Sequence, residues 1–139
     1  MLRHIASLFL IFLVTGISAQ SAEKIKAVKA YYAGFEKKDW NAVAAQFADD
    51  FTFTSPNNDD HISIEKFKEK CWPTNQYFKT VDFIKLLEKG NDLMLLVQIN
   101  TTDGKIVRNV DVYSFNQAGK IKSIEVFFGA GGKYPGNEQ

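Results

Sequence analysis

The segment from Tyr31 to Pro56, YYAGFEKKDWNAVAAQFADDFTFTSP, constrains the fold more than any other part of the chain. It reads as a helix, a break, a second helix and a strand that stops at a proline. Ile25, Val28, Tyr32 and Phe35 recur at i, i+3, i+7 and i+10, which is one face of an amphipathic helix. Lys26, Lys29 and Lys37 fall on the opposite face. The helix is expected to end near Lys37-Lys38, where cations suit the C-terminal end of the dipole. Asp39 is an N-cap for a second helix, with Trp40, Val43, Ala44 and Phe47 as its apolar stripe and Asp49-Asp50 closing it. Phe51-Thr52-Phe53-Thr54 alternates and is rich in β-formers, so it predicts a strand. A helix pair feeding a strand in this way makes a good wall for a cavity.

The remainder is mostly β. Ser55 to Asp60 is a run of turn formers and predicts a loop. Ser63 can cap a short third helix with Ile64, Phe67 and Cys71 inward, stopped by Pro73. Four strands follow: 78–87, 93–101, 105–115 and 120–128. Gly90-Asn91-Asp92, Asp103-Gly104 and Asn116 to Gly119 mark the turns between them. The order α-α-β-α-β-β-β-β, with a long antiparallel sheet last, predicts an α+β fold. A strongly bent sheet around the long first helix would leave a conical hollow.

The N-terminus carries Arg3, then the apolar run Ile5 to Ile17, then small and polar residues from Ser18 to Ala22. That is the layout of a secretory signal peptide, with cleavage expected after Ala19 or, second, after Ala22. The expected division is a leader over 1–19, one domain over 20–129 and a loose glycine-rich tail over 130–139. Without Arg3, Lys and Arg balance Asp and Glu. No dense basic run is present, so neither nucleic acid nor, after leader cleavage, a membrane is expected as partner. The single cysteine, Cys71, allows no internal disulfide and reads as a small buried apolar residue. Asp59-Asp60-His61 holds the only histidine beyond the leader, but neighbours in one loop do not complete a metal site. No metal or cofactor is expected, and the motifs of nucleotide, serine-hydrolase and zinc-protease chemistry do not occur.

Three pieces carry a resemblance. The helix end Tyr31 to Asp39 runs into Trp40-Asn41-Ala42-Val43. Phe47-Ala48-Asp49-Asp50-Phe51-Thr52-Phe53 contains a "FADD" strand entry. Asp111 to Ile121, DVYSFNQAGKI, has the hairpin form D-x-[FY]-x-F-x-x-x-G-K-I. Together they resemble the nuclear transport factor 2-like superfamily, in its SnoaL-like and ketosteroid isomerase-like branch. The resemblance implies a cone-shaped fold. In the isomerase branch a helix tyrosine and a protonated strand aspartate form an oxyanion hole, and an aspartate before a proline acts as base. By position these fall on Tyr31, Asp111 and Ser55. A serine there cannot shuttle a proton without its own base, which counts against isomerase chemistry. Helical phase puts Tyr32 nearer the centre of the apolar stripe, so either Tyr31 or Tyr32 can face the cavity.

Asp111 and Tyr31 are therefore the candidate catalytic or anchoring residues. A carboxyl inside an apolar cavity has its pKa raised by desolvation and can act as a donor. Tyr32, Phe35, Trp40, Phe53, Ser55, Trp72, Tyr113, Val126 and Phe128 are the expected lining. Phe128 shares its strand face with Ile124 and Val126. Phe127 and Glu125 then lie on the outer sheet face, where a homodimer is expected. The first functional expectation is an exported, periplasmic or secreted, domain that binds a small apolar or aromatic molecule through Asp111 and Tyr31. The alternatives are a general acid/base isomerase, cyclase or dehydratase using Asp111, and a non-catalytic dimeric association module.

Overall fold

The computed structural model describes residues 6–128, with side chains from Ala19 onward. Most of the proposed leader and the whole tail at 130–139 lie outside the described side chains. Helix α1 spans Ala6–Lys37 and α2 spans Trp40–Ala44. They are joined at Lys38, which takes a left-handed backbone with φ 60°. Asp39 caps α2, its side chain accepting from the Ala42 backbone N–H at 3.1 Å. The two helices meet closely at Gly34, where a Cβ would lie 2.5 Å from Cγ2 of Val43.

Strands β1 (Phe47–Ser55) and β2 (Asp59–Ile62) come next, then α3 (Ile64–Lys70) and a 3-10 turn over Trp72–Tyr77. Strands β3 (Phe78–Lys89), β4 (Asp92–Thr101), β5 (Ile106–Phe115) and β6 (Ile121–Phe128) complete the chain. All six strands form one sheet in the order β2-β1-β6-β5-β4-β3. Register irregularities interrupt the β1–β2, β1–β6, β3–β4 and β5–β6 ladders. Such bulges bend a sheet, and here it curves around the second half of α1.

Three expectations are corrected. The sheet is mixed, because β1 runs parallel to β6, with Phe53 opposite Ile124. Phe47 is not on α2 but begins β1. The helix closes one turn earlier, with Ala45 and Gln46 N–H groups bonded to Asn41 and Val43 carbonyls, and the Ile121 N–H then takes the Gln46 carbonyl. Asp59 and Asp60 are not loop residues but start β2, which pairs Ser55 with Asp59 and Phe53 with Ile62. The turn is made by Asn58 at φ 60°, a conformation that asparagine tolerates.

The core lies between α1 and the concave face. Val28, Val43, Leu93, Leu95, Val97, Tyr113, Ile121 and Ile124 are buried completely or nearly so. Lys24 is also buried. Its ammonium pairs with Glu88 at 2.9 Å and donates to the Gly90 carbonyl at 2.6 Å, which fastens α1 to the β3–β4 turn. Among the described residues no helix is long and apolar enough to cross a membrane.

Candidate functional site

Strand alternation sends every second side chain of β5 inward, and these are Asn109, Asp111, Tyr113 and Phe115. Asp111 sits opposite Leu95 of β4 and Val126 of β6, in the middle of the sheet. Its side chain faces a cavity of about 650 Å³. The buried end is formed by Tyr31 and Tyr32 from α1 with Asn109, Asp111 and Val126. Phe35, Phe53, Phe67 and Ile99 make apolar walls. The exposed residues Tyr77, Val107 and Phe128 mark the mouth.

Asp111 is only 3% exposed. Its Oδ2 accepts hydrogen bonds from the hydroxyl of Tyr32 and from that of Tyr113, the latter at 3.2 Å. Its Oδ1 is buried and has no partner, and neither has the buried Oδ1 of Asn109. Desolvation raises the Asp111 carboxyl to about 6, against the lowering effect of the two phenol hydrogen bonds. Burial and the Asp111 charge hold the phenols of Tyr31 and Tyr32 well above the ordinary tyrosine value. Both stay protonated as donors.

A second polar group lies on the same cavity at β2 and α3. Ser55 Oγ donates to Asp59 Oδ2 at 2.8 Å, and Lys70 pairs with Asp59 Oδ1. Burial alone would raise the Asp59 carboxyl. Hydrogen bonds from Lys70 and Ser55, with the Lys70 charge, outweigh it and hold the group below the usual range. Cys71 next to it is half-buried, and burial with the nearby Asp59 charge pushes its thiol up to about 11. At neutral pH this favours the weakly nucleophilic thiol form. Asp60 and His61 point to solvent instead, with His61 Nδ1 2.5 Å from Asp60 Oδ1. The Asp-Asp-His run is thus split between two faces. Among the described residues no cluster of three metal-ligating side chains forms.

Of the residues singled out in the sequence, Tyr31, Tyr32, Phe35, Phe53, Ser55, Asp111, Val126 and Phe128 come together around this cavity. Trp40, Trp72 and Tyr113 do not line it. Trp40 opens α2 and stacks in a layer behind the wall, 5.4 Å from Trp72 and 6.3 Å from Phe67 between ring centres. Trp72 packs on Phe35 at 5.1 Å. Tyr113 is fully buried beneath Asp111 and supports it. The phenol that holds Asp111 belongs to Tyr32, not to Tyr31.

Sequence reading missed Asn109 and Lys70, and weighed Asp59 only as part of the Asp-Asp-His run. Asn109 carried a usable signal, since it shares strand parity with Asp111. The place of Asp59 is hidden because a strand built from turn formers is recognised only by the partner it pairs with, and Lys70 on α3 meets Asp59 only in the folded chain.

Comparison with known proteins places this geometry. A model of the family described as the SnoaL-like domain matches residues 28–124, well over half of the 139. A solved NTF2-like protein of unknown function from Cytophaga hutchinsonii superimposes with a TM-score of 0.59 at 22% identity, over 76% of this chain and 89% of that one. An NTF-2 like protein of unknown function from Burkholderia xenovorans gives 0.65 at 16% identity, over 84% and 91%. A protein of unknown function with a cystatin-like fold from Methylobium petroleophilum gives 0.67 at 16% identity, over 85% and 82%. No curated protein matches the chain. The match along the chain and the curved mixed sheet wrapped around one long helix agree, and the protein is a member of the SnoaL-like family with the NTF2-like cone fold.

Proposed function

We propose that this domain binds a small apolar or aromatic molecule, whose polar end sits against Asp111. One observation carries the reading: Asp111 lines the inner end of the cavity, and its buried Oδ1 has no hydrogen-bond partner. A buried acceptor left unpaired costs about 1–3 kcal/mol, so such an atom in a cavity points to a ligand that completes it. The volume of about 650 Å³ falls in the range of small-molecule sites. Tyr31 and Phe35 supply aromatic surface for the body of the ligand. The leader-like N-terminus supports export, so the ligand would be met outside the cytoplasm.

Binding is favoured over catalysis by what surrounds the second carboxylate. Asp59 is engaged by both Lys70 and Ser55, and a carboxylate held that way is a poor base. The second reading is general acid/base chemistry of the isomerase, cyclase or dehydratase kind, with Asp111 alone as the proton carrier. Its support is the Asp111 carboxyl at about 6, near working pH.

Native mass spectrometry of protein purified from its own source tests the first reading. A co-purifying small molecule is expected in the wild type and absent from Asp111→Asn. A wild type that carries nothing, and shows no response at cavity residues to aromatic fragments, would overturn it.

A further inference from the structure

The buried atoms left unpaired at the head of the cavity are acceptors, while the Tyr31 hydroxyl stands beside them as a neutral donor. The two phenols nearest Asp111, those of Tyr32 and Tyr113, already give their protons to Oδ2. Neither remains to meet a ligand carbonyl. The two buried atoms left without partners, Asp111 Oδ1 and Asn109 Oδ1, are both oxygens. They belong to residues two apart on one strand, hence on the same face and about 7 Å apart at Cα. Both side chains are at least nine-tenths buried.

Charge narrows the class. The charged residues on the cavity are Asp59, Lys70, Asp103, Lys105 and Asp111. Asp59 pairs with Lys70, and Asp103 pairs with Lys105 at 2.7 Å. Asp111 is left with no cation among the described residues. A buried carboxylate is stable only with compensation, and two neutral phenols supply hydrogen bonds but no opposite charge. Tyr31, Tyr32 and Phe35 add ring surface near that end, and aromatic faces attract a desolvated ammonium.

Resting on the pocket reading above, we propose that the ligand is an amine: a protonated nitrogen on an apolar or aromatic body, donating to Asp111 Oδ1 and Asn109 Oδ1. The amine completes both orphan acceptors and supplies the missing charge. An alcohol completes the acceptors without the charge. A ketone does neither.

Three probes of similar size separate these cases: phenethylamine, phenethyl alcohol and acetophenone. Each is titrated at neutral pH into the full-length protein and followed by NMR shifts of the cavity residues. The amine is expected to bind at least about tenfold more tightly than the ketone, with the alcohol between them. Asp111→Asn should cut amine affinity by about tenfold without weakening acetophenone, since the new amide can donate to a carbonyl. If Asp111→Asn does not fold, Asn109→Ala serves, with a several-fold loss expected for the amine alone. A ketone that binds as tightly as the amine, with cavity shifts present, overturns the amine proposal and leaves the pocket reading intact. An alcohol that equals the amine overturns the cationic nitrogen. No cavity shifts with any probe overturns the pocket reading itself.

Discussion

The hydroxyl of Tyr32 donates to Oδ2 of Asp111, across 79 residues of sequence and from the long helix to the centre of the sheet. This bond fixes which oxygen of the carboxyl is left for a ligand. Tyr113 donates to the same Oδ2 from below at 3.2 Å. Oδ1 is thereby the free acceptor, and the tyrosines act as supports for the carboxylate. In the isomerase arrangement implied by the resemblance, a tyrosine proton would instead meet the ligand.

Stability should fall with rising pH through the titration of Asp111. Its folded carboxyl is raised from 3.8 to about 6, first by desolvation. Between those values the folded state holds a proton that the unfolded state has lost. The contribution is full below the unfolded value and is lost as pH rises through the folded one. The shift corresponds to about 3 kcal/mol as an upper figure. Urea denaturation at a series of pH values should show this loss between about pH 4 and pH 6 in the wild type, and much less of it in Asp111→Asn. Equal pH profiles would show that Asp111 does not titrate there.

Tyr32→Phe should raise the Asp111 titration midpoint above about 6, because a hydrogen bond that favours the charged form is removed. Tyr31→Phe should leave it in place, since the supporting phenol belongs to Tyr32. Loss of a hydrogen bond to a buried charged group costs about 1.5–3 kcal/mol, so Tyr32→Phe should also unfold more easily at neutral pH. Carboxyl NMR titration of both variants decides the assignment. A shift in Tyr31→Phe and none in Tyr32→Phe would reverse it.

Much of this was legible in the sequence, and the rest was hidden for identifiable reasons. The stripe Ile25, Val28, Tyr32, Phe35 marked the inner face of α1, and all but Ile25 are buried there. Turn signals at Asp103-Gly104 and Gly119 fell where β4, β5 and β6 are joined. Asp111 is found by its position in the resemblance, and the alternation along β5 in the structure turns it inward. Strand β2 was invisible because Asn57, Asn58, Asp59 and Asp60 have turn chemistry, and only pairing with β1 makes part of them a strand. The parallel β1–β6 pairing joins residues far apart in the chain and leaves no local trace. Tyr31 and Tyr32 differ by one helical position, and both are buried. Only the position of Asp111 tells which hydroxyl it takes. Trp40 and Trp72 were assigned to the lining by their aromatic surface, which serves a packed layer equally well.

Gly34→Ala should destabilise the fold. The new methyl would stand 2.5 Å from Val43 Cγ2, 3.1 Å from the Val43 nitrogen and 3.2 Å from the Asp39 carbonyl. Overpacking of this kind costs about 1–3 kcal/mol, while the gain in helix propensity is at most about 1 kcal/mol. Val43→Ala in the same chain removes the nearest clash and should recover part of the loss. Thermal unfolding of the single and double variants checks this. Additive effects would mean that the helices do not approach as closely as described.

We propose that the N-terminal segment is a leader removed on export, with processing after Ala19. Ser21 Oγ lies 2.5 Å from Glu88 Oε2, beside the buried Lys24–Glu88 pair. A chain starting at Gln20 keeps this contact, and one starting at Glu23 loses it. N-terminal sequencing of exported protein is therefore expected to begin at Gln20. Intact Met1 in the exported fraction would refute the leader.

The outer face of the sheet should join two copies of the chain. Leu87 pairs with Met94 and Met94 with Val112 across β3, β4 and β5, while Leu96 pairs with Val110 and Val110 with Phe127 across β4, β5 and β6. These two rows set six apolar side chains side by side on the convex surface, on the opposite parity from Asp111. Leu87 and Phe127 are each 54% exposed and Met94 is 45% exposed. A contiguous patch of this kind marks an interaction surface, whereas scattered exposed hydrophobics do not. Phe127 lies at the β6 end, and a charge there would have to be desolvated in the interface. Phe127→Glu should therefore give a folded monomer in sedimentation velocity, with unchanged circular dichroism, against a dimeric wild type. Phe128, one residue on, faces the cavity mouth, so Phe128→Glu should leave the dimer whole and alter only ligand entry. A wild type that sediments as a monomer at high concentration would remove the interface.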